Sequence, residues 1–279
     1  MMKAIHSSAL CLLLLLTGTA LAAPAVSRPS IGCTYNAVDH GRHLLRKTKV
    51  DGASRDYILD VPDNVQAHTA VPLLFDFHGF GHSGEGVWQV SEFKGLAEQE
   101  RFITVYPEGL SVHLLNRDGA GWEIFKNDGN RDLAFVKSML DHIANTYCID
   151  LNRIYATGFS NGAFLSNLLG CTMSDTFAAI APVSGGAITT ACAPPRSVPV
   201  IIHHGRNDPL IAVAKAREMR DNWIEKNGCH GKVDGDGCEI YDGCRDAAEV
   251  VYCEDNGEHR WPQAATRRIW DFFKKHPMP

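Results

Sequence analysis

The pentapeptide Gly158-Phe159-Ser160-Asn161-Gly162 is the most informative stretch of the chain. It lies between an apolar run at 153–157, which predicts a strand, and a longer run at 163–169, which predicts a helix. A serine between a strand and a helix is held in a sharp turn, where glycines on either side avoid steric clashes. Such a turn lifts the hydroxyl above the carboxyl ends of the strands, where open α/β sheets bind ligands. The pattern predicts a catalytic nucleophile at Ser160, with a purely structural turn as the alternative.

Short apolar runs alternate with longer amphipathic runs on both sides of this turn. The further predicted strands are 73–77, 102–106, 177–183, 198–203 and 249–252, and the further predicted helices are 91–101, 132–147, 211–226 and 266–275. This alternation predicts an α/β fold with a mostly parallel central sheet and helices on both faces. Near the start, Asp51-Gly52 separates the runs 44–50 and 55–61, which predicts an antiparallel hairpin.

A serine nucleophile needs a base, and the base needs a carboxylate that orients it. When the nucleophile sits in a strand–helix turn, the acid and then the histidine follow it along the chain. Asp208 directly follows the predicted strand 198–203, and His259 follows the strand 249–252. The sequence therefore predicts Asp208 as the acid and His259 as the base. A solvated turn carboxylate and a surface loop histidine are the structural alternatives.

Ester or amide chemistry at a serine also needs hydrogen-bond donors for the developing oxyanion. One donor is the backbone N–H of the residue after the nucleophile, Asn161. The second is expected in the loop His78-Gly79-Phe80-Gly81, which follows the strand 73–77. We assign it to the N–H of Phe80, since the flanking glycines let the backbone approach a substrate closely.

The composition indicates an exported enzyme. The 279 residues carry a net charge of −5, which argues against nucleic acid or an anionic membrane as the main partner. Lys3, an apolar stretch at 9–16 and Ala20-Leu21-Ala22 form the pattern of a secretory signal peptide over residues 1–22. That stretch is too short to serve as a membrane anchor. We expect a secreted protein with one catalytic domain at 23–279.

Cysteine usage agrees with export. Removal of the signal leaves eight of the nine cysteines, and an even number in an exported chain predicts up to four disulfides. The spacing contains no C-x-x-C or H-E-x-x-H pattern, so no metal site is expected. Asp234-Gly235-Asp236-Gly237 is similar to a calcium loop but lacks the further ligands of an EF-hand, which favours a plain turn. No cofactor is expected either.

Six ordered motifs together resemble the secreted feruloyl esterase and polyhydroxybutyrate depolymerase group, which are carbohydrate-esterase-family-1-like α/β-hydrolases. The resemblance covers nearly the whole chain after residue 22. The motifs are Leu74–Gly79, Tyr106-Pro107-Glu108-Gly109, Gly158–Gly162, Phe177–Gly185, His204-Gly205-x-x-Asp208 and His259-x-Trp261-Pro262. One departure is Gly257-Glu258, where members often have Gly-Gly, and this leaves the shape of that loop open.

The resemblance implies an α/β-hydrolase fold with disulfide-stapled loops, a Ser160–His259–Asp208 triad and an aromatic-lined ester pocket. Trp122 and Trp261 are the candidates for that lining, and core or rim packing is the alternative for both. Where members of the family carry two acidic residues at the start of a helix, this chain has Arg131-Asp132. We therefore expect Asp132 to cap that helix or to lie in its first turn. The resemblance also implies a Cys229–Cys244 disulfide, and Cys171–Cys192 is a second expected pair.

The expected function is two-step hydrolysis of a carboxylic ester. A feruloyl esterase acting on plant cell-wall polysaccharide esters is the first hypothesis. A polyhydroxybutyrate depolymerase and an acetylxylan esterase are the alternative enzymes. A catalytically silent relative that binds carbohydrate or lipid is the non-enzymatic alternative.

Overall fold

A ten-stranded sheet forms the centre of the molecule, which we describe from a computed structural model over residues 26–279. The predicted signal peptide lies outside the described residues. The strands, in chain order, are β1 (Gly41–Val50), β2 (Ala53–Val61), β3 (Val71–Phe77), β4 (Ile103–Pro107), β5 (Leu110–Leu114), β6 (Arg117–Gly121), β7 (Ile149–Phe159), β8 (Ala179–Val183), β9 (Val200–Gly205), β10 (Val233–Gly235), β11 (Cys238–Tyr241) and β12 (Val250–Asp255).

The sheet is parallel in the middle and antiparallel at both ends. Its spatial order is β1-β2-β4-β3-β7-β8-β9-β12-β11-β10, and the six strands from β4 to β12 run parallel. The hairpin β1–β2 extends one end and the hairpin β10–β11 extends the other. β5 and β6 form a separate two-stranded ribbon. The predicted mostly parallel sheet is therefore confirmed.

Helices cover both faces of the sheet. They are α1 (Gly84–Val90), α2 (Phe93–Glu100), α3 (Arg131–Ala144), α4 (Asn161–Thr172), α5 (Val213–Asn227) and α6 (Ala265–Phe273). Phe135 of α3, Leu165 of α4 and Trp223 of α5 pack into one core cluster, together with alternate side chains of the strands. Phe93 of α2 and Trp270 of α6 pack into a second cluster on the opposite face. Two apolar layers on one sheet are the architecture expected of an α/β-hydrolase.

The region 228–244, which includes the Asp234–Gly237 motif, is more regular than a plain turn. It contains the hairpin β10–β11, which adds two antiparallel strands to the edge of the sheet. Asp236 and Gly237 both have positive φ angles, 56° and 74°, as Asp51 and Gly52 do in the first hairpin. Positive φ at both central residues is the type I′ geometry that Asp-Gly favours. The plain turn expected at 234–237 is therefore a hairpin turn.

Four disulfides connect the eight cysteines of the described chain. The two expected pairs, Cys171–Cys192 and Cys229–Cys244, are present. The other two join Cys33 to Cys148 and Cys238 to Cys253, and Cys238 lies directly opposite Cys253 in the β11–β12 register. Among residues 26–279, no helix is long and apolar enough to span a bilayer.

Candidate active site

Ser160 occupies the predicted turn between β7 and α4. Its φ and ψ angles are 55° and −115°, a conformation outside the allowed regions for residues with a Cβ. A Cβ on Gly158 would lie 2.5 Å from the Gly162 oxygen, and one on Gly162 would lie 2.1 Å from the Phe77 oxygen. Both positions therefore require glycine because the turn packs directly against neighbouring backbone. The Ser160 N–H donates to the Val183 oxygen at 2.9 Å, which fixes the turn to the end of β8.

Asp208 and His259 form a hydrogen-bonded pair beside this turn. The Nδ1 atom of His259 donates to Oδ2 of Asp208 at 2.7 Å. The carboxylate is fully buried, whereas the imidazole retains 12% exposure. The His259 ring also lies against the ring of Phe159, with centroids 4.7 Å apart. Because Phe159 directly precedes Ser160, this contact places the imidazole next to the serine turn.

The second oxygen of Asp208 is held by its own loop. Oδ1 accepts hydrogen bonds from the Leu210 N–H at 2.9 Å and the Ile211 N–H at 2.8 Å. An Asp side chain that bonds the backbone two and three residues later closes a local turn. This turn fixes the carboxylate and directs Oδ2 toward His259.

The loop that carries His259 packs directly on the loop that carries Asp208. The Asn207 N–H donates to the Gly257 oxygen at 3.0 Å, and the Arg206 N–H donates to the Asp255 oxygen at 2.7 Å. A Cβ on Gly205 would lie 2.4 Å from the Gly257 oxygen. The glycine of the His204-Gly205 motif is thus required by the close approach of the two loops. Glu258 stands where members of the family often have a second glycine. Its side chain is exposed, so it extends into solvent without disturbing the contact between the two loops.

The loop after β3 borders the serine on the other side. A Cβ on Gly79 would lie 3.3 Å from the Ser160 Cβ, so this backbone directly contacts the turn. Among residues 26–279, neither the Phe80 N–H nor the Asn161 N–H donates to an acceptor. The Gly81 N–H instead donates to Ala120 of β6 at 2.7 Å, which anchors the loop to the β5–β6 ribbon. Two free N–H groups near a serine are the donors that an oxyanion requires.

Contacts of Asn161, Trp122 and His78 that were not predicted from sequence connect this loop to the serine turn. The Asn161 Oδ1 accepts from the Trp122 N–H at 2.7 Å, and the Trp122 Nε1 donates to the His78 oxygen at 2.8 Å. His78 in turn accepts at Nε2 from the Gly109 N–H at 3.0 Å. Burial lowers the pKa of His78 to about 4, so the ring stays neutral and keeps that acceptor. These contacts join residues far apart in sequence, and only the presence of a histidine before Gly79 hinted at them.

The structure corrects the expectation for Trp122. This side chain is 1% exposed and packs edge-on against Phe77, so it offers no surface to a substrate. It supports the loop after β3 from inside the core, which was the alternative considered from sequence. Trp261 is partly buried, packs against Phe93 and donates from Nε1 to Thr266 at 2.9 Å. Its contact with an acyl group therefore remains a prediction.

A buried ion pair holds the segment that carries Trp122. Arg55 donates from a guanidinium N–H to Oδ1 of Asp132 at 2.9 Å, and both side chains are at most 2% exposed. Oδ2 of Asp132 accepts from the Glu123 N–H at 2.8 Å. Asp132 lies in the first turn of α3, whose N-cap is Asn130, so one of its two expected positions is confirmed. In the part of the chain that the structure describes, no cluster of three or more His, Cys, Asp or Glu side chains is arranged to hold a metal ion.

Comparison with known proteins identifies the family. Residues 55–236 match the model of a family described as esterase PHB depolymerase. The chain belongs to the esterase PHB depolymerase family. Among its relatives, feruloyl esterase D of Neurospora crassa is 30% identical, and the match covers 98% of this chain and 99% of the relative. A probable feruloyl esterase C of Aspergillus terreus is 28% identical over 78% of this chain and 83% of the relative.

Solved structures agree with the α/β-hydrolase fold of this esterase PHB depolymerase family member. An acetyl xylan esterase from Aspergillus awamori superposes with a TM-score of 0.66 at 17% identity, over 83% of this chain and 99% of the other. At that identity the likeness concerns the fold alone. The relatives and the family together identify the chain as a carboxylic ester hydrolase, so the alternative of a catalytically silent binding protein is not supported.

Proposed function

We propose that the protein is a secreted serine esterase in which Ser160, His259 and Asp208 act as a triad. The observation that carries this proposal is the 2.7 Å bond from His259 Nδ1 to Asp208 beside the strained Ser160 turn. With its proton on Nδ1, the imidazole has a free Nε2 that can accept the proton of the serine hydroxyl. The four disulfides of residues 26–279 and the signal pattern at 1–22 support an exported protein.

In the first step, the Ser160 oxygen bonds to the ester carbonyl carbon while its proton moves to His259 Nε2. The carbonyl oxygen becomes an oxyanion, which the Phe80 and Asn161 N–H groups stabilise. The C–O bond to the alcohol then breaks, and the alcohol leaves with the proton from Nε2. A water molecule repeats the sequence on the acyl-enzyme, which releases the acid and restores the serine. Asp208 stabilises the imidazolium in both steps.

We further propose that the substrate is a feruloyl ester of plant cell-wall polysaccharide. The support is that several relatives are named feruloyl esterases, one of them matched over nearly its whole length. A bifunctional acetylxylan esterase/xylanase of Neocallimastix patriciarum is 28% identical over 66% of this chain and 26% of the relative, which makes acetylated xylan the second candidate. The name of the matched family keeps polyhydroxybutyrate as a third.

The test compares the wild type with Ser160→Ala on methyl ferulate, acetylated xylan and soluble polyhydroxybutyrate oligomers. We expect hydrolysis of methyl ferulate by the wild type and a loss of about 10⁴- to 10⁶-fold in kcat for the variant. Ser138→Ala on α3 is the control, because this serine bonds to β1 rather than to the site.

Equal activity of wild type and Ser160→Ala would contradict the mechanism. Activity confined to acetylated xylan or to the oligomers would keep the mechanism and change the substrate. Mass spectrometry of a brief reaction with methyl ferulate adds a direct observation, since the acyl-enzyme carries the feruloyl mass on the Ser160 peptide.

A further inference from the structure

A second histidine contacts the carboxylate of Asp208. His204 lies on β9, one residue before the strand ends, and its side chain has no solvent exposure. Its Nε2 atom lies 2.9 Å from the Ile211 oxygen and 3.7 Å from Oδ2 of Asp208. His204 therefore contacts both ends of the turn that holds the carboxylate. The mechanism described above gives this residue no role.

The surroundings of His204 fix its tautomer and its charge. A carbonyl oxygen only accepts, so Nε2 carries the proton and donates to Ile211. The Nδ1 atom is buried and has no partner within residues 26–279. Burial lowers the pKa of His204, while Asp208 in the same loop and Glu254 on β12 oppose this shift and His259 reinforces it. The His204 ring is neutral near pH 7 because its pKa lies below the ordinary value for histidine.

We infer that His204 is a positioning residue for Asp208, an inference that rests on the proposed function. Its Nε2–H bond holds the Ile211 carbonyl, and the N–H of the same residue donates to Oδ1 of Asp208. The imidazole thus fixes the turn that presents Oδ2 to His259. Neutrality matters because a charged ring 3.7 Å from Oδ2 would compete with the His259 imidazolium for the carboxylate.

The first variant is His204→Phe, which keeps an aromatic ring and removes the donor to Ile211. We expect kcat for methyl ferulate to fall by about a hundredfold, since small displacements of catalytic groups cost that much, with little change in KM.

His204→Gln is the rescue variant, because its side-chain amide can again donate to the Ile211 oxygen. We expect it to recover most of the lost kcat, again with little change in KM. His203→Phe is the matched control. His203 is the adjacent histidine, is equally buried, and points to the opposite face of the sheet beside Arg268 of α6. Its substitution should leave kcat and KM close to the wild-type values.

Wild-type kcat in folded His204→Phe would overturn the inference. So would a His204→Gln enzyme as impaired as His204→Phe, since the donor would then not be the relevant feature. If His204→Phe fails to fold, as circular dichroism would show, His204→Gln decides. A kcat near the wild-type value then supports the inference, and a large loss of kcat at unchanged KM contradicts it. Failure of the proposed function is seen separately, as ester hydrolysis that survives Ser160→Ala.

Discussion

The two halves of the sheet hold the active site by different means. The first half consists of β1, β2, β4 and β3 and carries the loop with the free Phe80 N–H. The second half consists of β8, β9, β12, β11 and β10 and carries the loops of Asp208 and His259. Strand β7 lies between the two halves and ends at Phe159, directly before Ser160. Three of the four disulfides of residues 26–279 lie in the second half or tie α4 and α5 to it, namely Cys171–Cys192, Cys229–Cys244 and Cys238–Cys253.

The first half contains buried carboxylates other than Asp208. It contains the Arg55–Asp132 ion pair and the fully buried Asp76 of β3. Covalent links respond to reductant, whereas buried carboxylates respond to pH. We therefore expect two independent ways to inactivate the enzyme, one by reductant and one by a change of pH. Three predictions address this comparison.

Loss of the Arg55–Asp132 pair should give the largest effect. Arg55→Met leaves the Asp132 carboxylate buried without its cation, which typically costs about 3–5 kcal/mol. We expect that loss in the free energy of unfolding, measured with urea. Arg55→Met with Asp132→Leu should recover much of it, because a buried pair replaced by apolar side chains leaves no unpaired charge. An Arg55→Met variant as stable as the wild type would show that the Arg55–Asp132 pair does not stabilise the first half.

Asp76 should make the first half sensitive to pH. Burial raises the pKa of Asp76 to about 7, well above its value in the unfolded chain. The contribution of protonated Asp76 to the free energy of unfolding is therefore fully present below about pH 4. It is lost as the pH rises through 7, because the buried carboxylate then ionises. Asp76→Asn keeps the shape without the charge. It should be more stable than the wild type at pH 8, by at most about 4 kcal/mol, with no gain at pH 4.

Urea denaturation of both proteins at several pH values measures this difference. Asp141→Asn on α3 is the control, since that carboxylate is exposed. A gain that does not change with pH would show that the charge of Asp76 is not its cause.

Removal of the Cys238–Cys253 link should give the smallest of the three effects on stability. The double variant Cys238→Ser and Cys253→Ser opens a link with a sequence separation of 15, a loop size for which the expected loss is about 3 kcal/mol. Because Cys253 lies on β12, which ends four residues before His259, kcat should fall together with stability. The reductant dithiothreitol should inactivate the wild type. The stability that Arg55→Met removes from the first half should depend less on the reductant. Unchanged kcat in the double variant would show that the disulfide does not position the loop that carries His259.

Local patterns in the sequence predicted the parts of the structure that depend on local geometry. Ser160, Asp208 and His259 each follow a strand, and strand ends are recognisable from apolar runs. The hairpin β10–β11 was missed because cysteines and glycines obscured the alternation of its short strands, although Asp236-Gly237 repeats the turn of the first hairpin.

Contacts between distant residues could not be predicted in the same way. Trp122 was a candidate for the pocket with core packing as the alternative, because a large aromatic near a site suits either and sequence does not give the direction of its ring. The structure shows that His78 and Asn161 hold it in the core. The His204 contact with Ile211 likewise depends on how a loop folds back on a strand, which no periodicity records.

The backbone of Ser160 has a consequence for how this protein can change. A non-glycine residue in so sparsely populated a conformation costs on the order of 1–3 kcal/mol. Glycine at this position relieves that strain but supplies no hydroxyl. Selection for thermal stability alone would therefore favour glycine at this position. In the proposed mechanism the Ser160 hydroxyl is the nucleophile, and this role accounts for a side chain in so strained a conformation.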